Sequence, residues 1–600
     1  MNKTAIKNYA VWARNELIER VSRKAFEYGI EKDKEIDANL DSIGGRILTA
    51  DEKRERAQLI VEVNQRGFDH VIEEVAYTWF NRFVALRFME VNNYLPNKIR
   101  VFTDYNNEFK PQIIDEAMNL EFSDLSKEEI YRLLEANNKE ELYKELIIAT
   151  CNDMGKYLPG MFTSIADYKV LLFPDHLLNQ GSVIERLISD IEEDSFNIEK
   201  EGQIEIIGWM YQFYNIEPKD KVFSRKKGEK IQKEDIPAAT QLFTPDWIVR
   251  YMVENSLGRF WLEGHPKREG DSAPDLKENW KYYLEEAKQD EEVEEKLKEI
   301  RAEYAGYTPE MIKLIDPCMG SGHILVYAFD VLMQIYESYG YTRRDAAKSI
   351  VENNLYGIDI DERAYQLSYF AVMMKARQYD RRILTKGVSP NLYHIKSGEM
   401  ISEELLAYFG DKKPVVKRLV ESFKDASEYG SLLKPDVTLE ELESLEKTID
   451  EILDMPGDIN LLTGGYRNDA CKEVIPYVRL AKVLVSKYQV VVTNPPYMPV
   501  SNGSSKLQDF VKKNYPNSKT DLFAVFMEKC KEMLCRNGLE AMINMHSWMF
   551  LSSYEKLREN LLSNATIVNM AHLGARAFEE IGGEVVQTTA FVLRNSIDKG

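Results

Sequence analysis

Residues 313–323 read Lys-Leu-Ile-Asp-Pro-Cys-Met-Gly-Ser-Gly-His, and this stretch decides the predicted fold. A short apolar run ends at Asp316, and the helical run 324–332 follows the two glycines. Doubly wound α/β folds bring their backbone close to a ligand in this way, with an acidic strand end and a glycine turn into a helix. Gly320 and Gly322 have no Cβ, so they permit a tight turn and a close approach. We therefore expect a Rossmann-like α/β domain with a ligand site at this turn.

From about residue 236 onward, short apolar runs alternate with helical segments, which is typical of a βαβ series. The predicted strands are residues 313–316, 355–360, 488–493, 539–545 and 588–593. Two largely helical insertions interrupt the series at about 262–306 and 402–470. Before it, apolar residues recur at three- and four-residue spacing. The chain is thus predicted to hold a mostly helical N-terminal domain, residues 1–235, and an α/β domain, residues 236–600.

The turn at Asp316 suits a cationic ligand better than a phosphate. It carries neither GxGxxG nor GxxxxGK[ST], the patterns of nucleotide-phosphate sites. A carboxylate would repel a pyrophosphate, whereas it attracts the amino and sulfonium groups of S-adenosylmethionine. We therefore take Asp316, Cys318, Gly320 and Gly322 as candidate cofactor-binding residues, with an ordinary strand-to-helix turn as the alternative.

Three further positions are candidates for the same cofactor. Asp359 ends the next strand-like run, where a carboxylate can accept hydrogen bonds from both ribose hydroxyls; Asp361 is the competing choice and equally suits a helix cap. Glu399 is a weaker candidate for the adenine amino group, and a surface turn is equally compatible with it. Upstream, Thr244 is predicted as a helix N-cap and Pro245 as the first helical residue, so that Thr244 could close the methionine end of the pocket.

Asn494-Pro-Pro-Tyr497 follows the predicted strand 488–493, at the end where open α/β sheets place their ligands. An exocyclic amine conjugated to a ring is a poor nucleophile because its lone pair is delocalised. Methyl transfer to such an amine needs acceptors aimed at both N–H groups, and we expect the Asn494 side-chain oxygen and the Pro495 backbone oxygen to supply them. Pro495 and Pro496 would stiffen the loop, and Tyr497 would stack on the flat substrate. In duplex DNA the base must first be flipped out.

In their order, these motifs resemble the gamma class of amino-methyltransferases: a Thr-Pro helix, a DPxxGSG loop, an acidic strand end and NPPY. Residues 520–530 are similar to the helix that follows NPPY in that class, and residues 573–578 and 586–591 to its closing hairpin. The resemblance implies that Asn494, Pro495, Pro496 and Tyr497 are catalytic. It also implies that Phe578 packs on the flipped adenine from the face opposite Tyr497.

Outside these motifs, residues 7–19, 79–92 and 207–214 resemble the PglX family, the adenine methyltransferases of BREX phage-defence systems. This resemblance covers nearly the whole chain. It implies S-adenosylmethionine-dependent methylation of adenine N6 in double-stranded host DNA at a short, asymmetric site, with other BREX proteins as partners. Family members continue into a C-terminal specificity region, which we expect to lie beyond Gly600.

The net charge of −21 is unusual for a protein that contacts DNA, since phosphate contacts need Lys and Arg. Either basic residues cluster on one face, or the main DNA-contacting region lies outside this chain. The sequence has no apolar run of 18 residues and no signal-peptide stretch at its start. Its five cysteines form no CxxC and its seven histidines have no metal-ligand spacing. We therefore expect a cytoplasmic protein with reduced thiols, no membrane span and no metal.

Three other functions compete with this interpretation. A bifunctional restriction-modification enzyme would need a PD…(D/E)xK nuclease set, but Pro174-Asp175 and Glu217-Pro-Lys219 lie on segments that do not resemble adjacent strands. The NPPY motif also serves enzymes that methylate a glutamine amide in release factors or bases in ribosomal RNA, although those are usually compact. A non-enzymatic scaffold with a degenerate domain is the third, and the complete NPPY motif argues against it.

Overall fold

The computed structural model describes residues 1–34, 37–38, 40–163, 168–200, 202–224, 231, 236, 243–267, 275–398, 401–454, 461–575, 577–578 and 587–596. The chain divides into two compact units. The first consists of Met1–Glu217 with Tyr369–Met374 and Leu384–Gly387, and the second of the remaining residues. The predicted domain boundary near residue 235 falls in a stretch of which only residues 231 and 236 are described, so it stays a prediction.

The first unit is built almost entirely from helices. These are Lys3–Glu27, Ala50–Arg66, Phe68–Val91, Gln112–Asp115, Lys127–Glu135, Lys139–Met154, Tyr168–Leu171, Val183–Ser189 and Glu205–Tyr214, and the helix Ile216–Phe223 begins at the unit's end. A short hairpin joins β1 (Ser42–Ile43) to β2 (Arg46–Ile47). In the helix Phe68–Val91, every residue from Val75 to Val91 is buried, including the charged residues Arg87 and Glu90, which pair with each other at 2.6 Å.

The second unit contains a seven-stranded sheet in the order β5-β4-β3-β6-β7-β9-β8. The strands are β3 (Leu314–Asp316), β4 (Leu355–Asp359), β5 (Asn391–His394), β6 (Tyr488–Thr493), β7 (Leu534–Met545), β8 (Thr566–Gly574) and β9 (Thr588–Arg594). β3 to β7 pair in parallel, whereas β9 is antiparallel to both β7 and β8. The predicted Rossmann-like α/β fold is confirmed. The chain order reverses between β3 and β6, which is where sheets of this kind bind their ligands.

Helices connect these strands and fill the two insertions. They are Asp246–Val253, Arg259–Gly264, Glu291–Tyr304, His323–Ser338, Arg343–Ser349, Glu362–Tyr379, Glu403–Leu406, Lys413–Ser422, Ala426–Tyr429, Leu439–Asp454, Leu461–Val485, Ser505–Asn514, Leu522–Met533 and Glu555–Asn564. One face of the sheet packs on a core that includes Val491 and Met542 from the strands and Phe523 from a covering helix. Sheets buried in this way read as continuous apolar runs, which is why β6 is visible in the sequence.

Three details of the second unit differ from the sequence prediction. β8 was not predicted, because none of its nine residues is buried. β5 was not predicted, because only one of its four residues, Leu392, is buried and the strand offers no apolar run. β7 begins at Leu534, five residues before the predicted start, since it includes the polar residues Arg536 and Asn537. In the part of the chain that the structure describes, no helix is both long enough and apolar enough to cross a membrane.

Candidate active site

Residues 316–323, the glycine loop, connect β3 to the helix His323–Ser338. Gly320 and Gly322 have φ angles of +52° and +83°, in the left-handed region that favours glycine. A Cβ on Gly322 would lie 2.6 Å from Ser368 Oγ and 3.0 Å from Ser368 Cα, so no side chain fits there. The Met319 amide donates to the Ile358 carbonyl at 3.1 Å, which holds the loop against β4. The two glycines are thus needed for this turn, as the sequence indicated.

Asp316 ends β3 and is 1% exposed. Its Oδ1 accepts hydrogen bonds from Thr493 Oγ1 at 2.7 Å and from the Cys318 amide at 3.0 Å. Its Oδ2 is buried and, among the described residues, has no hydrogen-bond partner. Burial, with repulsion from Asp359, raises the pKa of Asp316 to about 7. A buried carboxylate oxygen without a donor is costly, so this atom fits a cationic ligand group such as an amino group.

Asp359 and Asp361 take different positions. Asp359 Oδ2 accepts from the Gly320 amide at 2.9 Å and Oδ1 from the Asp361 amide at 2.8 Å, which places this carboxylate against the glycine loop. Burial raises the pKa of Asp359 to about 7. Asp361 caps the helix Glu362–Tyr379 by accepting from the Arg363 amide at 2.9 Å, and it also pairs with the Arg363 guanidinium. Of the two, Asp359 lies beside the loop.

Two other candidate cofactor residues are Cys318 and Glu399. Cys318 is partly exposed and packs against the apolar core, and burial raises the pKa of its thiol well above the ordinary value. It is therefore a neutral thiol that can line a pocket. Glu399 lies outside the described residues.

Thr244 contacts the Asn494 side chain directly. The Asn494 Nδ2 donates to Thr244 Oγ1 at 3.0 Å, and His323 Nδ1 lies 3.1 Å from the Thr244 carbonyl oxygen. The prediction that Thr244 caps the next helix is wrong. Pro245 has an extended ψ of 140° and occupies the capping position, so the helix begins at Asp246. The Thr244 hydroxyl bonds to a residue 250 positions away in the sequence instead.

The tetrapeptide Asn494-Pro-Pro-Tyr497, the proline loop, follows β6. Pro495 is buried, and Asn494 and Tyr497 are partly exposed. The Tyr497 hydroxyl donates to the Ile543 carbonyl on β7 at 2.9 Å, and its ring lies edge-on to Phe523 with a centroid distance of 6.1 Å. Both ends of the loop are therefore held, Asn494 through Thr244 and Tyr497 through β7. The positions of these two side chains are thus fixed by contacts within the protein.

β3 and β6 are parallel neighbours, with Leu314 beside Val490 and Ile315 beside Val491. The glycine loop and the proline loop consequently leave the sheet side by side at the same edge. Thr493 links them, since it precedes Asn494 in the chain and donates to Asp316. The arrangement places the buried Asp316 carboxylate next to the neutral side chain of Asn494.

Phe578, the predicted stacking residue, is 6% exposed and lies beyond the end of β8. Among the described residues, no ring contact joins Phe578 to Tyr497. Residues 576 and 579–586 around it are outside the described part. Stacking by Phe578 stays a prediction.

Sequence reasoning missed two residues that shape this site. Thr493 is fully buried and donates a hydrogen bond to Asp316. The sequence signal that could have identified Thr493 is a single hydroxyl residue at the end of an apolar strand. Asp521 accepts from the Met498 amide at 3.1 Å and the Phe523 amide at 3.3 Å, which ties the exit of the proline loop to the helix Leu522–Met533. Burial raises the pKa of Asp521 to about 7. An aspartate directly before an apolar helix is a recognisable N-cap.

Two curated relatives of this chain, described below, are both named adenine-specific methyltransferases. The family Eco57I restriction-modification methylase matches residues 353–578. Adenine-specific methyltransferase PglX of Lacticaseibacillus casei (strain Zhang) is 42% identical over 99% of this chain and 51% of its own length. Adenine-specific methyltransferase BrxX of Escherichia coli O9:H4 (strain HS) is 39% identical over 99% of this chain and 51% of its own length. The chain thus spans about half the length of the curated relatives it matches.

Among solved structures, the chain aligns with the protein of a DrdV–DNA complex with a TM-score of 0.43 and 12% identity. The alignment covers 99% of this chain and 42% of that protein.

Proposed function

The chain belongs with PglX and BrxX to one family of adenine-specific methyltransferases, and on this premise we propose that it methylates N6 of adenine in double-stranded DNA. The methyl donor would be S-adenosylmethionine. The observation that carries the proposal is the juxtaposition of Asp316 and Asn494, linked through Thr493 at the ends of adjacent parallel strands. A cation-binding carboxylate beside a neutral amide is what methyl transfer from a sulfonium to an aromatic amine needs.

The residues around the glycine loop fit S-adenosylmethionine. Asp316 Oδ2, buried and without a partner among the described residues, would accept from its amino group. Asp359, whose oxygens can each accept a second hydrogen bond, would hold the ribose hydroxyls. Gly320 and Gly322 would let the backbone approach, and Cys318 would line the pocket. When bound, the cofactor supplies an electrophilic methyl group; Glu399 remains the candidate for its adenine amino group.

The proline loop would hold the substrate amine. Asn494 Oδ1 and the Pro495 carbonyl oxygen would accept from the two N–H groups of adenine N6, which turns its lone pair toward the methyl group. The Thr244 hydroxyl holds the other end of the Asn494 amide and so fixes its orientation. Both acceptors are neutral, so they activate the amine without a charged base. Tyr497 would stack on one face of the flipped base and Phe578 on the other.

We extend the proposal to the biological setting through the resemblance to the BREX methyltransferases. The substrate would be host DNA, methylated at a short asymmetric site, and the partners would be other BREX proteins. A chromosomal substrate would place the protein in the cytoplasm. Sequencing of methylated adenines in hosts with and without the gene would test this setting.

The chemistry is tested by supplying methyl-labelled S-adenosylmethionine with duplex DNA, ribosomal RNA or release factor in parallel. We expect label in DNA alone, recovered as N6-methyladenine by mass spectrometry of the hydrolysed product. Label in RNA or protein, with DNA unlabelled, would contradict the proposal and favour the amide or RNA alternative.

A further inference from the structure

Three stretches of an otherwise acidic sequence contain no aspartate or glutamate: residues 488–508, 541–554 and 560–578. The whole chain carries 99 acidic residues in 600, so stretches of this length normally contain several. Each stretch contains the carboxyl end of one strand, β6, β7 or β8. Because β6 and β7 are parallel and β8 runs in the same direction on the far side of β9, all three ends lie at the edge that carries the proline loop. These three strand ends therefore carry no carboxylate that would repel a polyanion, whereas Asp316 and Asp359 lie at the same edge on β3 and β4.

Two adjacent exposed apolar residues, Phe550 and Leu551, form an apolar tip at this edge, in the loop that follows β7. Phe550 is 64% exposed and Leu551 is 53% exposed. Their amides donate to the Ser547 carbonyl at 3.2 and 3.0 Å, and Arg558 Nη1 donates to the carbonyls of Trp548 and Leu551 at 2.8 and 2.7 Å. Trp548 is buried beneath the tip. The two apolar side chains are thus exposed to solvent on a backbone that is held in place.

Two histidines lie beside the tip. The rings of His546 and His572 are parallel, with centroids 5.1 Å apart and an interplanar angle of 2°, and His546 Nδ1 lies 2.9 Å from His572 Nε2. The Phe550 ring stands edge-on to His546 at 5.4 Å. Imidazole N–H groups can donate to phosphate oxygens, so polar donors flank the apolar tip at this edge.

We propose that Phe550 and Leu551 enter the DNA duplex beside the target and fill the space that the flipped adenine vacates. The inference rests on the proposed function, because only a flipped base leaves such a gap. Flipping costs stacking and pairing energy, and proteins that distort DNA insert apolar side chains between bases to offset it. The apolar tip consists of two adjacent residues. They are too few for a protein partner, whose stable interface covers about 800 Å² per side.

The test compares Phe550→Ala with the unchanged protein on two duplexes, using the protein in the form its host makes. One duplex has a normal thymine opposite the target adenine, and the other has an abasic site there, which removes the base-pairing part of the cost of flipping. We expect Phe550→Ala to lower kcat/KM about tenfold or more on the normal duplex, equal to about 1.4 kcal/mol. On the abasic duplex the loss should shrink to about threefold or less. Phe550→Trp, which keeps a large flat side chain, should retain activity.

Leu562→Ala is the matched control. Leu562 is 65% exposed but lies on the helix Glu555–Asn564, which ends where β8 begins, at the opposite edge of the sheet. The Leu562→Ala variant should have the same kcat/KM as the unchanged protein on both duplexes. Thermal unfolding of each variant checks that the fold is retained.

The outcomes separate the inference from the function on which it rests. Normal activity of Phe550→Ala on the normal duplex overturns the inference, and so does an equal loss on both duplexes, since neither depends on flipping. If the unchanged protein methylates neither duplex, the proposed function itself fails.

Discussion

The glycine loop and the proline loop leave neighbouring strands at the same edge of the sheet, but they are built differently. The glycine loop relies on backbone freedom and on two carboxylates, Asp316 and Asp359, whose pKa values burial raises to about 7. The proline loop relies on stiff backbone and neutral hydrogen bonds, from Asn494 to Thr244 and from Tyr497 to Ile543. The glycine loop therefore contains buried carboxylates, whereas the proline loop contains no charged side chain.

This difference follows from what each loop would bind. A cation compensates a buried carboxylate, so the electrostatic cost of Asp316 in the free protein becomes binding energy for a charged cofactor. An aromatic amine must stay neutral to keep its lone pair, so acceptors without charge suit it. Replacing residues in one loop at a time should therefore separate cofactor binding from methyl transfer.

The largest effect is expected for Asn494→Ala in the proline loop. It removes an acceptor that would be used only as the amine becomes tetrahedral, so kcat should fall about a thousandfold, equal to about 4 kcal/mol. The dissociation constant for S-adenosylmethionine should change by about threefold at most, since Asp316 and its partners are untouched. Radiolabel transfer and calorimetry measure the two quantities. A kcat within tenfold of normal would remove Asn494 from the mechanism.

Asp316→Asn in the glycine loop should act on binding instead. It takes away the carboxylate charge while keeping the shape, so cofactor affinity should fall about a hundredfold, or about 2.7 kcal/mol. High cofactor concentration should restore part of the activity. The control is Asp509→Asn, which changes an exposed aspartate and should have no effect. Unchanged affinity in Asp316→Asn would place the cofactor elsewhere.

The raised pKa of Asp316 predicts a pH dependence of about tenfold. Below its pKa of about 7 the carboxyl is mostly protonated and cannot pair with a cation, so cofactor affinity should rise from pH 6 to pH 8 and level off above. The free energy of unfolding of the cofactor-free protein should instead fall as pH rises. A carboxyl whose pKa is raised by folding stabilises the fold at low pH, and this contribution is lost as pH rises through about 7.

Asp316→Asn removes that titration, so it should raise the Tm of the cofactor-free protein more at pH 8 than at pH 5.5. Scanning fluorimetry at the two pH values measures this difference. An equal Tm change at both would mean that Asp316 does not titrate in this range.

The smallest effect, about fivefold, is expected for Thr244→Val, which removes one hydrogen bond to Asn494. If Thr244 belongs functionally with the proline loop, kcat falls and cofactor affinity holds. If Thr244 instead closes the cofactor pocket, affinity falls and kcat holds. Thr244→Ser keeps the hydroxyl and should behave normally in both measurements. The split between kcat and affinity decides which loop Thr244 serves.

The predictable parts of the molecule are those in which neighbouring residues in the sequence determine the local structure, such as an apolar run that forms a buried strand. The apolar runs of β3 and β4 end in Asp316 and Asp359, and β6 is followed by Asn494. The fold follows from those runs and from the glycine turn after β3. β5 was not predictable, since its pairing with β4 supplies backbone hydrogen bonds but requires little burial of its side chains.

Long-range side-chain contacts within the site were also beyond the sequence. The hydrogen bond from Asn494 to Thr244 joins residues 250 positions apart, and no sequence spacing predicts such a pair. The bond from Thr493 to Asp316 depends on the parallel pairing of β3 and β6, which places the ends of the two strands side by side. Candidate residues could therefore be named from the sequence, but the connection between the two loops required the structure.

The most direct test of the division between the loops is calorimetric titration of S-adenosylmethionine into Asn494→Ala and Asp316→Asn, side by side at pH 8. We predict that Asn494→Ala binds the cofactor as the unchanged protein does while transferring methyl groups to DNA about a thousandfold more slowly, and that Asp316→Asn binds the cofactor about a hundredfold more weakly. Loss of cofactor binding in Asn494→Ala, or normal binding in Asp316→Asn, would contradict the account.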